Sequence, residues 1–163
     1  MRGLASIRSG IGENMEDRYL FKAKRLDNGE WVIGNLIQNP FFKGVRSWIS
    51  SEQEDKTRLR SISRTQALWN SIEVDSSTIC QCTGLKDKNG KLIWENDICD
   101  RKEEYPEIVK YNNGDWTLDY SYLKGKESGY CYCNLGFYVL ERKCVEVIGN
   151  IFDNPELLES EEK

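Results

Sequence analysis

Six cysteines, many carboxylates and no histidine set the chemistry open to this 163-residue chain. Without histidine there is no Ser-His-Asp triad, no Cys-His dyad, no histidine general base and no mixed Cys/His zinc site. All-cysteine metal sites, carboxylate pairs and lysine chemistry remain open. Cys80-x-Cys82 and Cys131-x-Cys133 would each present two thiols on one face of a strand. Four thiolates could in principle hold tetrahedral zinc. Structural zinc usually takes cysteines separated by two to four residues, however, so that a turn wraps the metal. A single spacer gives no such turn, and cysteine also serves as a small buried hydrophobe. The expectation is reduced, packed cysteines with no metal or other cofactor. A Cys80/Cys82/Cys131/Cys133 metal site and a disulfide are the alternatives.

Glu95, Asp97, Asp100, Glu103, Glu104 and Glu107 form an acidic stretch. Paired carboxylates can do acid–base work when one is desolvated. Arg101 and Lys102 interrupt the run, so a solvated face or an oligomer contact is expected rather than catalysis. Arg58, Arg60 and Arg64 are a local basic group, and Trp48 or Tyr130 could stack on bases. The formal charge of -4 and a pI near 5.1 oppose phosphate binding. Met1–Gly12 holds no apolar run like that of a signal peptide, and nothing approaches the roughly 20 apolar residues that span a membrane. A cytoplasmic protein with reduced cysteines and no membrane partner is the expectation.

The elements that would position these residues are mostly strands. Residues 1–14 are small and polar without period and are expected to be a flexible extension, an alternative start or a cloning remnant. Asn28-Gly29, Asn89-Gly90 and Asn113-Gly114 then mark three hairpins, since a type I′ turn needs two residues with positive φ. The first hairpin would join Tyr19–Asp27 to Glu30–Gln38. It would set Leu26 opposite Trp31, Phe21 opposite Leu36 and Ala23 opposite Gly34, where another backbone could approach closely. The third would pair Tyr111 with Trp116, Lys110 with Thr117, Val109 with Leu118 and Ile108 with Asp119. The middle one, joining Thr78–Leu85 to Leu92–Cys99, needs a wider loop over KDKNGK. Phe137–Arg142 and Val145–Ile151 complete about eight strands, a spacing that suggests a barrel or sandwich. Gly149, within the last run, marks a bulge or a close contact.

Helix is scarce. Ser63-Arg64-Thr65-Gln66 has the spacing of a capping box, with Ala67, Leu68, Trp69 and Ile72 as a short apolar face. Asn154-Pro155-Glu156 reads as the start of a short C-terminal helix over Pro155–Glu159. Ser50–Arg60 is polar and charged and reads as a solvated or disordered loop.

The stretch TGLKDKNGKLIWENDIC, Thr83 to Cys99, resembles the signature of the YopX family, approximately TGL-x-DKNG-x-x-I-x-EGDIV. It is matched at Thr83, Gly84, Leu85, Asp87, Lys88, Asn89, Gly90, Ile93, Glu95, Asp97 and Ile98. KRLDNGEWVIGNLI resembles the family's opening hairpin, and EVIGNIFDNPELL its closing strand and helix. The resemblance covers roughly Met15 to Glu159. It implies phage- or prophage-encoded proteins with a C-terminal SH3-like β-barrel and self-association. It implies no assigned activity and brings no catalytic residues. Cys80, Cys82 and Cys99 stand where the family more often has Gly, an aromatic and an aliphatic residue. Asn96 stands where the family has Gly, and Asn is the next best occupant of left-handed backbone. Asp97 would brace the turn into the next strand.

The expected architecture is mainly β with minor α. A single domain over 15–160 would comprise an N-terminal hairpin, variable loop and short helix (15–75), then the SH3-like barrel and C-terminal helix (76–160). The memorable positions, Asn28, Gly29, Asn89, Gly90, Asp97, Asn113, Gly114 and Gly149, would shape backbone. The expected role is that of a non-enzymatic phage accessory protein in the bacterial host cytoplasm. It would self-assemble as a homo-oligomer or bind a phage or host protein. The alternatives are a nucleic-acid-binding phage regulator and a hydrolase using carboxylates.

Overall fold

Short runs of alternating apolar and polar residues, broken by Asn, Asp and Gly, fold here into strands and almost no helix. The computed structural model describes residues 17–39, 46–50, 71–123 and 132–159. Its strands are β1 (Phe21–Lys24), β2 (Trp31–Asn39), β3 (Arg46–Ser50), β4 (Ser71–Val74), β5 (Cys80–Lys86), β6 (Leu92–Trp94), β7 (Asp97–Asp100), β8 (Glu107–Asn112), β9 (Asp115–Asp119), β10 (Tyr132–Asn134) and β11 (Glu146–Asn150). They form two antiparallel sheets, ordered β4-β3-β2-β1-β5-β6 and β10-β9-β8-β7-β11. The class is therefore mainly β. No pairing joins β10 to β11 among the described residues, so the second sheet is open there. None of the described helices is long and apolar enough to cross a membrane.

Turn chemistry decides the registers. At Asn113-Gly114 both residues take positive φ, 51° and 90°. The type I′ turn follows, and β8 and β9 pair with Tyr111 opposite Trp116, Val109 opposite Leu118 and Ile108 opposite Asp119, as expected. At Asn28-Gly29 only Gly29 has positive φ, 73°. Asn28 instead accepts the Glu30 backbone N–H on its own Oδ1 at 3.0 Å. Arg25 then bonds Glu30 across a four-residue turn. The expected register is corrected by two residues: Phe21 faces Gly34 and Ala23 faces Val32. An even slip leaves every side chain on its original face. A Cβ on Gly34 would lie 2.1 Å from the Ser50 carbonyl oxygen, so β3 crowds β2 at a point only glycine can occupy.

Four further expectations change. Leu92–Cys99 is two strands, because Asn96 takes φ 64° and turns the chain from β6 in one sheet to β7 in the other. Phe137–Arg142 is a π-helix, not a strand. The Asn134 side chain accepts the Phe137 N–H at 2.6 Å, which diverts the aromatic run from extended backbone at its first residue. Ile72 lies in β4, where it pairs with Ile49, and not on a helix. The remaining capping-box residues and the 51–60 loop lie outside the described residues, as do 1–14. The C-terminal helix is a single 3₁₀ turn over Pro155–Leu158, and the Asn154 side chain does not cap it. That side chain accepts the Asn150 N–H at 3.4 Å instead.

Three apolar clusters hold the sheets. Ala23, Val32, Ile49 and Val74 fill the first, and Ile93, Cys99, Val109, Leu118, Leu135, Val145 and Val147 fill the second. Cys80, Cys82 and Trp94 form a third with Leu20, Trp31, Leu92 and Phe152 against it. Full burial of each large aliphatic stabilises by about 1.5–3 kcal/mol.

Candidate functional site

Strand β5 points alternate residues inward, which buries Cys80 and Cys82 against Trp94. Burial pushes the Cys80 thiol up to about 11 and raises the Cys82 and Cys99 thiols as well. These are neutral packing groups. Cys133 sits apart on β10, half-buried against the second core, with its sulfur 4.0 Å from Arg101 Nη2. Cys131 lies outside the described residues. Cys80 and Cys82 thus belong to a different apolar cluster from Cys133. No group of three or more Cys, Asp or Glu side chains that could hold a metal occurs among the described residues.

The acidic stretch separates into two buried carboxylates (Asp97 and Glu107), two half-buried ones (Glu95 and Asp100) and two exposed ones (Glu103 and Glu104). Asp97 Oδ1 accepts from Lys22 Nζ at 2.7 Å, and its Oδ2 accepts the Trp94 backbone N–H at 2.9 Å. The Lys22 ammonium also lies 5.1 Å from the Trp31 ring and 5.4 Å from the Trp94 ring. Burial raises the Asp97 carboxyl, with Lys22 opposing. This pair ties β1 of the first sheet to β7 of the second. Beside it, Trp31 Nε1 donates to Asp153 Oδ2 at 2.6 Å, and Lys24 pairs with Asp153 Oδ1 at 2.5 Å. The Lys24 contact holds the Asp153 carboxyl down at about 2.

Glu107 is gripped by Arg101 through two contacts of 2.5 and 2.6 Å, and the guanidinium stacks 3.8 Å from the Tyr138 ring centre. Burial works against the Arg101 charge, but Glu107 outweighs it and raises the guanidinium pKa. The pair joins the β7–β8 hairpin to the π-helix. A carboxylate hydrolase would need two converging acids without basic partners. Asp97 and Glu107 each hold a cation, Asp100 pairs with Lys102 at 2.7 Å, and Glu104 accepts from Tyr105 at 2.8 Å. The basic group Arg58, Arg60 and Arg64 and the stacking candidate Tyr130 lie outside the described residues. Trp48 is half-buried in β3.

The turn positions do varied work. In the β5–β6 turn, Gly90 has φ 82°, but the organising residue is Asp87. Its Oδ1 accepts the N–H groups of Asn89 (2.8 Å) and Lys91 (2.9 Å), and its Oδ2 accepts that of Val147 (3.0 Å). Burial opposes the charge, yet these three amides hold the carboxyl below its usual range. Asp87 fixes both the turn and its seat on β11. Its Asp-x-Asn spacing before Gly was a legible Asx-turn signal. Asn89 itself only reaches Glu146 at 3.4 Å. Gly149 lies at a register shift in the β7–β11 pairing, and a Cβ there would meet Asn154 Oδ1 at 2.7 Å.

Where this braced turn faces the π-helix, an open cavity of about 360 Å³ remains. Leu85, Val139 and Leu140 give it an apolar lining, Lys86, Lys88 and Lys143 add amines, and Asp87 adds a carboxylate whose oxygens are already taken by three backbone amides. Lys88 pairs with Glu146 at 2.5 Å. Lys22, Lys24, Lys102 and Lys110 likewise hold carboxylates, whereas Lys86, Lys91 and Lys143 hold none among the described residues. Two of those three line the cavity and the third lies on the same turn. Leu140 in its wall is 61% exposed, and Phe137 on the same π-helix is 45% exposed. No sequence signal marked this cavity, because the π-helix that forms one wall read as a strand.

No curated protein matches the chain. One solved structure, protein EF1440 from Enterococcus faecalis, is 24% identical, with 85% of this chain and 96% of that one covered and a TM-score of 0.48. Residues 20–159 match the family model described as YopX protein. That match takes in the turn braced by Asp87, the left-handed Asn96 and both sheets. The chain belongs to the YopX family.

Proposed function

We propose that this chain is a non-enzymatic phage or prophage accessory protein that binds protein, either further copies of itself or a phage or host partner. In this reading it works in the bacterial cytoplasm, and its second sheet is the framework of an SH3-like barrel. The supporting observation is the contrast between a satisfied interior and an unsatisfied surface. Both buried carboxylates of the acidic stretch hold their own cations. Meanwhile Phe137, Leu140, Tyr111 and Ile148 stand exposed on the second sheet and its π-helix. Aromatic side chains such as Phe137 and Tyr111 are enriched in the contact surfaces between proteins. Light scattering across a wide concentration range tests the assembly part: growth of the mass with concentration is expected. A strict monomer at the solubility limit removes self-assembly and leaves only a foreign protein partner. Lys86, Lys91 and Lys143, which hold no carboxylate among the described residues, favour a second reading, nucleic-acid binding, which predicts a gel shift that weakens steeply with salt.

A further inference from the structure

Lys86, Lys91 and Lys143 are exposed, so water can solvate each of them, and it is their gathering at one place that sets the local charge. Five of the described lysines hold carboxylates, and the three that do not gather at one place, the turn and cavity facing the π-helix. The chain as a whole is acidic, at -4. A local excess of positive charge on an acidic protein attracts negative ligands.

The walls narrow the choice of ligand. Leu85, Val139 and Leu140 offer aliphatic contact, and Leu140 is exposed to a partner. A free inorganic anion would leave that surface uncovered. A nucleic acid would want aromatic platforms for its bases, and no aromatic side chain lines the cavity. π-Helical turns are often found at functional sites. This one is held firmly: Asn134 caps its start, Tyr138 stacks on Arg101, and Lys143 ends it with φ 51°. The turn opposite is equally fixed, by Asp87. Both walls are therefore preorganised, which lowers the ordering cost of binding.

We infer that this cavity and the adjoining π-helix surface dock an acidic, aliphatic-bearing peptide segment of a partner protein. Its carboxylates would meet Lys86 and Lys143, and its aliphatic side chains would cover Leu85, Val139 and Leu140. The inference rests on the protein-binding reading and names the partner chemistry for that site.

The probe is a labelled octapeptide alternating leucine and glutamate, titrated against the full chain by fluorescence anisotropy. Two control octapeptides replace leucine by serine or glutamate by lysine. The leucine–glutamate peptide should bind, the serine–glutamate peptide about tenfold more weakly, and the leucine–lysine peptide not measurably. Combining Lys86→Glu with Lys143→Asn should weaken binding about tenfold. Asn is chosen at 143 because it tolerates left-handed backbone. Leu140→Ser, at an exposed position that costs folding little, should weaken it by a smaller factor. Circular dichroism of both variants checks that the fold is intact. No binding of the leucine–glutamate peptide, equal binding of all three peptides, or full affinity in the lysine variant overturns the inference. A short DNA oligomer that binds through the same lysines, with the peptide silent, overturns it in favour of nucleic acid. If the peptide fails while light scattering still shows self-association, the docking surface falls and the protein-binding reading stands.

Discussion

Replacing Lys22 by Met should cost this protein about 3 kcal/mol at neutral pH. The substitution removes the ammonium and keeps an unbranched stem that still packs between Trp31 and Trp94. It leaves Asp97, whose side chain is 3% exposed, without its cation. Removing one partner of a buried pair costs about 3–5 kcal/mol, because the other charge stays desolvated. Two features place this case at the low end. Asp97 keeps the Trp94 N–H, and the 12% exposure of the Lys22 side chain shows that the pair is not wholly cut off from water. The deficit should also depend on pH. Burial already raises the Asp97 carboxyl in the folded state, and loss of Lys22 raises it further. A folded carboxyl above its unfolded value binds protons more tightly than the unfolded chain. Stability therefore falls as pH rises through the interval between the two values. The variant should be closest to the parent in acid and furthest from it above that interval. Adding Asp97→Asn should recover most of the loss, since no unpaired charge remains and the amide oxygen can still accept the Trp94 N–H. Urea unfolding followed by tryptophan fluorescence reads this directly, with Trp31 and Trp94 flanking the site. A deficit under about 1 kcal/mol, the range of an exposed pair, would refute the argument. So would a deficit indifferent to pH, or a double variant no better than the single one.

Gly34→Ala should destabilise by about 3 kcal/mol or more, because the new methyl would sit 2.1 Å from the Ser50 carbonyl oxygen and force β3 off β2. Urea midpoints check it, and a change within error would mean that the strands separate without cost. Asp87→Asn should cost about 1.5–3 kcal/mol, because its Oδ2 partner, the Val147 N–H, would lose a charged acceptor. Its carboxyl is held low when folded, so the stability it adds is present above the unfolded value and is lost as pH falls through the folded one. The variant's stability should accordingly fall less in acid, and amide exchange at Lys91 and Val147 should quicken. Alkylation of the native protein should label Cys133 and Cys144 well before Cys80, Cys82 and Cys99, which are buried with raised thiol pKa values. Mass spectrometry showing Cys80 labelled first would contradict that order.

How much of this was legible in the sequence depends on whether the deciding interaction is local. The β8–β9 hairpin was readable to the residue because Asn113 and Gly114 settle it between themselves, with two positive φ angles and a two-residue loop. The β1–β2 hairpin carried the same dipeptide and came out two residues off, because Asn28 turned its side chain to the Glu30 N–H rather than adopting left-handed backbone. The face assignment survived, since the slip was even. Asn96 was legible through the family resemblance, which has glycine at that position, and Gly149 as a bulge or close contact within a strand. The π-helix was not. Phe137-Tyr-Val-Leu favours strand by composition, and what overrides it is Asn134 at its start and the Arg101 guanidinium stacked on Tyr138 from another hairpin. The buried pairs were less visible still: Lys22 and Asp97 lie 75 residues apart, in strands of different sheets. The cavity inherits this, for its walls are a turn that the sequence announces and a π-helix that it conceals. A site built from one readable and one unreadable wall cannot be found by motif, only by asking which charges the fold leaves unanswered.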